Sequence, residues 1–239
     1  MYAFITLICL SMAFSSNAAE AVGFYSKGSL KDSLSIIDRN INVVKLYKSR
    51  GKQYATEEML NLIEGLANFS RENFPSAESI QVGDLAAVNG GRATRHTSHQ
   101  NGLDADIVYY RVNEKAQDVN NPEWAEYFVS GSKVTKNFHV QRNYTALKYL
   151  VENYDVRRIF VDTAIKREFC KLASNSGQLK DPGTVEFLRR LRPAKLHQTH
   201  FHVRLGCPEG SKKCESQAEP PKGAGCDSIS MEWEEVSSC

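Results

Sequence analysis

His200-Phe201-His202-Val203-Arg204-Leu205 alternates polar and apolar side chains residue by residue. Successive side chains of a strand point to opposite faces. The stretch reads as a β-strand with Phe201, Val203 and Leu205 on one face and His200, His202 and Arg204 on the other. Leu103-Asp104-Ala105-Asp106-Ile107 repeats the pattern, with both aspartates opposite the apolar residues. If these two strands are sheet neighbours, each buries an apolar face and their polar faces converge over one cleft.

Around these strands the periodicity changes. Within 57–69, Leu60, Ile63, Leu66, Ala67 and Phe69 fall on one helical face. A second helix is expected over 141–153, with Tyr144, Leu147, Leu150 and Val151 inward. A third follows Thr163, a good N-cap residue, and a fourth runs near 184–191. Further strands are expected at 79–82, 103–110 and 158–161, with the last at 200–205. Helices and strands mix without strict alternation. The expected fold is α+β, a single domain with a central, mainly antiparallel sheet flanked by helices.

The 239 residues suffice for a sizeable core, and a formal charge of +2 with no Lys/Arg block gives no reason to expect nucleic acid. Residues 1–19 lack charged side chains, carry an apolar run from Tyr2 to Leu10, and end on small residues around Ser16-Asn17-Ala18. They read as a signal peptide, leaving a domain at 20–239. The run is too short to span a bilayer, so an exported chain without stable membrane insertion is expected. Cys170, Cys207, Cys214, Cys226 and Cys239 would remain, four of them in a Pro- and Gly-containing tail. An oxidising compartment permits disulfides there. Cys207–Cys214 would close a local loop and Cys170–Cys226 would tie the tail to the body. The connectivity itself is not fixed by sequence, and the odd count leaves Cys239 as a free or intermolecular thiol.

Five of the six histidines fall in two runs, His96-Thr97-Ser98-His99 and His197-Gln198-Thr199-His200-Phe201-His202. Two imidazoles and a carboxylate make a zinc site with an open position for water, and a further histidine can act as base. His139, outside both runs, reads as a surface residue.

The run His99-Gln100-Asn101-Gly102-Leu103-Asp104-Ala105-Asp106-Ile107, followed by His200-Phe201-His202, resembles the signature of penicillin-insensitive murein endopeptidases. These belong to a wider group of zinc peptidases that includes D-alanyl-D-alanine dipeptidases and lysostaphin-like enzymes. The likeness takes in Val82-Gly83-Asp84, Gly90-Gly91-Arg92, Arg158-Ile159-Phe160-Val161, Leu191-Arg192-Pro193 and His202-Val203-Arg204-Leu205-Gly206-Cys207-Pro208. It is strong from about Ser79 onward and weak from Ala21 to Pro75.

The resemblance implies a periplasmic hydrolase that cuts D-alanyl–diaminopimelyl cross-links of peptidoglycan and is not inactivated by β-lactams. It implies zinc, one per chain, on His99, Asp106 and His202. His200 would be the general base and acid, with His197 assisting at the oxyanion. His96 matches another family histidine that can hold a second metal. The family can place an Asp and a His where this chain has Val129-Ser130-Gly131-Ser132-Lys133, which argues against a second metal and leaves His96 as a metal donor or a cleft residue. Asp104 would orient a ligand from behind. Arg92, after two glycines, would grip a substrate carboxylate.

Three other readings compete. A binding module would keep the fold and recognise murein without cutting it. A non-haem iron oxygenase also uses two histidines and a carboxylate. Ser49-Arg50-Gly51-Lys52 matches S-x-x-K of penicillin-binding serine enzymes by letters, but no Lys-Thr-Gly or Ser-Asp-Asn accompanies it.

Overall fold

A computed structural model describes residues 18–39, 41–92, 94–119 and 126–227. The expected signal peptide, for residues 1–17, and Cys239 lie outside the described residues. Strands β1 (Glu20–Phe24), β2 (Lys27–Lys31), β3 (Leu34–Ser35), β4 (Val44–Lys45) and β5 (Tyr54–Ala55) precede helix α1 (Glu57–Asn73). Strands β6 (Gln81–Val82), β7 (Asp104–Val108), β8 (Val129–Ser130) and β9 (Lys133–Val134) follow it. The remainder is α2 (Val140–Asn153), β10 (Val156–Val161), α3 (Thr163–Asn175), α4 (Pro182–Arg190), β11 (Leu191–Pro193) and β12 (His200–Leu205).

The main sheet has six strands in the order β11-β10-β12-β7-β6-β4. Its central pairings, β10 with β12, β12 with β7 and β7 with β6, are antiparallel. A parallel pairing closes each edge, β10 with β11 and β4 with β6. The sheet is thus mixed and mainly antiparallel, and α+β is the observed class. Strands β7 and β12 are the adjacent pair that the alternation called for. Their register sets His202 opposite Asp106 and Arg204 opposite Asp104. Both strands are buried on both faces. Ala105, Ile107, Phe201 and Val203 join Leu60, Leu147, Ile165 and Phe187 from the four helices in one core. Burying a side chain such as Phe201 contributes about 1.5–3 kcal/mol.

The helix starts follow local chemistry. Thr56 caps α1, accepting from Met59 N, with Glu57 and Glu58 in the first turn, where the helix dipole favours negative charge. Asp162, not Thr163, caps α3 by accepting from Ala164 N at 2.8 Å, so Thr163 is already helical. Aspartate and threonine both cap well, and the aspartate stands first in the chain. Asp181 caps α4, with Pro182 in the first turn, where a missing N–H costs nothing. His139 is a half-buried cap rather than a free surface residue: its Nδ1 accepts from Arg142 N and so starts α2.

Cys170–Cys226 and Cys207–Cys214 form the two disulfides of the described residues. The β1–β2 hairpin clasps the tail. Ala21 N donates to Ser211 Oγ, Gly23 N to Lys213 O, and Tyr25 Oη to Leu205 O. The hairpin also reaches the first histidine run, where Gln100 N donates to Tyr25 O and Gly28 N to Gln100 Oε1. No helix among the described residues is long and apolar enough to cross a membrane.

Candidate metal centre

Both histidine runs reach one cleft of about 570 Å³. His96 comes from the loop before β7. His197 comes from the loop before β12, and Asp106, His200, His202 and Arg204 come from the two strands. His99 lies behind them, fully buried. Its backbone is left-handed at φ 65°, a conformation that costs a non-glycine residue about 1–2 kcal/mol. The strain is held by Asp104, whose Oδ2 accepts from His99 N at 3.0 Å.

Asp104 organises more than that turn. Its Oδ1 accepts from His202 Nε2 at 2.8 Å and from Arg204 Nε at 2.7 Å. Arg204 lies 4.1 Å from the Tyr25 ring centre and 5.1 Å from that of Phe160, and donates to Gln217 of the tail. Burial by itself would raise the Asp104 pKa. The Arg204 guanidinium and the His202 imidazole outweigh it and hold the carboxyl far below the usual carboxylate range.

Asp106 is as buried as Asp104, yet neither of its oxygens has a hydrogen-bond partner. Four imidazoles surround it instead. His99 Nε2 lies 3.2 Å from Oδ1 without the geometry of a hydrogen bond. His202 Nδ1 lies 3.5 Å and His200 Nε2 3.6 Å from Oδ1, while His96 Nδ1 is 3.9 Å from Oδ2. Both nitrogens of His99 are also unpartnered. Buried polar atoms left unpaired cost about 1–3 kcal/mol each, more when charged. Here several converge with lone pairs available, which is what a bound cation would satisfy. Donor atoms of His96, His99 and Asp106 all lie within 4.8 Å of one another and could hold a metal ion. His202 flanks this cluster through Nδ1, with its other nitrogen committed to Asp104. Burial lowers the pKa of both His200 and His202 to about 4, so both are neutral at pH 7, the form that ligates metal or accepts a proton.

His200 Nδ1 is paired with Thr199 Oγ1 at 2.8 Å, which fixes the ring and turns Nε2 toward Asp106. His197 Nδ1 lies 2.7 Å from Lys195 O. A carbonyl only accepts, so Nδ1 carries the proton and the neutral ring leaves Nε2 as an acceptor. Arg92 is exposed and stands outside the residues that line the cleft. Of the two glycines before it, Gly90 serves packing, while Gly91 has open space around it. Gly90, at φ 64°, would bring a Cβ within 2.0 Å of Gln100 O, so this turn needs glycine to sit against the loop that carries His99.

Asp84 is a site residue that the sequence reading did not single out. Its Oδ2 accepts from Arg50 at 3.1 Å and pairs with His96 Nε2 at 2.9 Å, which aims His96 Nδ1 at Asp106. Its only signal in the sequence is membership of the Val82-Gly83-Asp84 stretch.

The family described as penicillin-insensitive murein endopeptidase matches residues 21–238. A protein of that name from Haemophilus influenzae is 32% identical over 220 residues, covering 90% of this chain and 73% of the relative. Relatives of the same name from Klebsiella pneumoniae and Escherichia coli are each 30% identical, covering 90% of this chain and 77% of their own. The match begins at Ala21, so it includes the hairpin segment whose likeness is weak to the eye, and that hairpin packs on the histidine loop. The chain belongs to the penicillin-insensitive murein endopeptidase family.

Proposed function

We propose that this protein is an exported, zinc-dependent endopeptidase that hydrolyses D-alanyl–diaminopimelyl cross-links in peptidoglycan. The observation that carries the reading is the buried Asp106 carboxylate, unpartnered on both oxygens and ringed by imidazole nitrogens at the floor of an open cleft. Family membership and the names of the relatives supply the substrate. Residues 1–19 would be the signal peptide and 20–239 the peptidase domain in the periplasm.

His99, Asp106 and His202 would hold the zinc, His202 through Nδ1. His96, held on Asp84, is the further donor of the compact cluster. Zinc there would polarise the scissile carbonyl and lower the pKa of water from about 15.7 to about 7. His200, neutral and fixed by Thr199, takes the proton of the attacking water at Nε2 and delivers it to the leaving amine. His197 can help an oxyanion only as imidazolium, because its Nδ1–H is spent on Lys195 O and Nε2 gains a proton only on charging. Arg92 would meet substrate carboxylates only at the outer edge. No acyl-serine forms on this route, so β-lactams leave activity unchanged. A non-catalytic murein-binding module would not need four imidazoles around one bare carboxylate.

The test is muropeptide release from purified sacculi, with product masses, in the presence and absence of a chelator. The expected result is loss on chelation and recovery with zinc. Full activity of the metal-free protein removes the zinc reading. Stoichiometric metal in His202→Ala with loss in His96→Ala moves the third ligand to His96.

A further inference from the structure

Leu196 and Tyr127, 79% and 64% exposed, are the two most exposed large hydrophobic side chains among the described residues. Single exposed apolar residues are ordinary, but both of these line the same cleft. The chain holds them there at a cost. Leu196 has φ 66°, a left-handed conformation that glycine adopts freely and leucine does not. Leucine at this site combines backbone strain with a hydrated apolar side chain, and its side chain belongs to no part of the core. Tyr127 lines the same cleft from a segment tied to the Leu196 loop. Phe128, fully buried, donates its N–H to Gln198 O at 2.7 Å, which pins the 127–128 segment to the 194–199 loop.

The charges of the cleft add a second clue. Among the described residues, its one acidic lining residue is Asp106. Of the cationic ones, Arg50 is paired with Asp84 and Arg204 with Asp104, and Arg95 comes from the His96 loop. Lys195, next to Leu196, lines the cleft and is exposed. The rim thus offers apolar surface and an ammonium side by side.

We propose that Tyr127 and Leu196 form the apolar grip for an acidic peptide with small apolar side chains, while Lys195 takes one of its carboxylates. The inference rests on the hydrolase reading and deepens it. The grip acts on the stem peptide, not on the glycan strand. It sets KM and positions the peptide, and none of the three residues takes part in proton transfer.

The experiment uses the full mature protein and purified cross-linked muropeptide dimers, with kcat and KM measured separately. Leu196→Gly and Tyr127→Ala should each raise KM about tenfold, the change expected for losing about 1.4 kcal/mol of apolar burial, with the loss falling on KM rather than kcat. Leu196→Gly should keep its Tm, because glycine adopts the same backbone without strain. Lys195→Gln should raise KM for native dimers but not for dimers with amidated carboxylates. Val112→Ala, exposed and outside the cleft, is the control and should leave KM alone. KM within twofold of wild type in both apolar variants overturns the grip while leaving the hydrolase reading standing. Competition by peptide-free glycan strands as strong as that by dimers overturns the peptide assignment. A wild-type protein that cleaves no muropeptide overturns the hydrolase reading, and the grip falls with it.

Discussion

Asp104 and Asp106 lie two residues apart on the same face of β7, and both are buried. Their surroundings differ completely. Asp104 is saturated by the protein: its oxygens accept from His202, from Arg204 and from the backbone of His99. Asp106 has imidazoles at 3.2 to 3.9 Å and no hydrogen bond. A buried charge must be compensated, and the fold has done this for one carboxylate with its own groups. The other has only imidazoles around it and no hydrogen bond, and its oxygens belong to a cluster that could hold a metal ion. The comparison separates a carboxylate bonded into the fold from one in a candidate metal cluster, where burial and charge alone make them look alike.

The sharpest break is substitution of one amide at each position. Asp106→Asn removes the charge around which the donors gather. Activity on sacculi should fall at least about a thousandfold, about 4 kcal/mol in the barrier, and bound metal should drop well below one per chain. The metal-free protein should lose less stability than Asp104→Asn, since no hydrogen-bond partner is stranded and only attraction to the imidazoles is lost. Metal-dependent stabilisation should vanish with it; in wild type this reaches about 2.7 kcal/mol at a hundredfold excess over Kd. Metal content and thermal melts with and without chelator measure both. An Asp106→Asn protein that kept its metal would erase the distinction.

Asp104→Asn should do the converse. It strands the Arg204 guanidinium among buried aromatics and releases the His99 turn, and stranding a buried ion partner costs about 3–5 kcal/mol. Denaturant unfolding of the metal-free protein reads this directly. Metal affinity should weaken about 10- to 100-fold, because His202 loses the acceptor that orients it. Equal stability of the two amide variants would show that Asp104 is no anchor.

The two ends were not equally legible in the sequence. Strict alternation located β12 to the residue and put both aspartates on the polar face of β7, because strand geometry is local. The two disulfides also formed between the cysteines whose placement favoured them. What separates Asp104 from Asp106 is not local. Arg204 is a hundred positions from Asp104, and its aromatic neighbours come from β1–β2 and β10. The β1–β2 hairpin was invisible for a related reason. Its strands carry Gly23 and Gly28 and little hydrophobic pattern, and they are held by contacts such as Ala21 to Ser211, 190 residues away. Asp84 escaped notice because β6 is two residues long and its partners come from two distant segments, Arg50 from a 3-10 turn and His96 from a loop. The glycine pair before Arg92 has a local reason of its own, since Gly90 serves a close backbone approach to Gln100.

The finest test of the comparison is acid unfolding of the metal-free protein. Arg204 and His202 hold the Asp104 carboxyl well below its unfolded value of about 3.9. Above that pH the carboxyl is ionised in both states and its contribution to stability is complete. As the pH falls below it, the unfolded chain takes up a proton that the folded chain refuses, so acid favours unfolding and the contribution is lost. The slope from this one group is at most about 1.4 kcal/mol per pH unit. Asp104→Asn should flatten the curve by that amount between about pH 4 and pH 2, on top of its lower plateau. Urea midpoints at several pH values give the slope. Parallel curves would mean that the Asp104 carboxyl titrates normally, and that Arg204 does not hold it. Asp106 is also held down in the metal-free state, burial opposing and the surrounding imidazoles prevailing. Those imidazoles can lose their protons and a guanidinium cannot. The Asp104 end therefore keeps its compensation at neutral pH, while the Asp106 end loses the share from His200 and His202 as they become neutral above about pH 4 and keeps that of His99, whose pKa the Asp106 carboxylate raises against the effect of burial. The carboxylate then stands beside two neutral imidazoles, a donor set that a divalent cation could use by displacing the proton of His99.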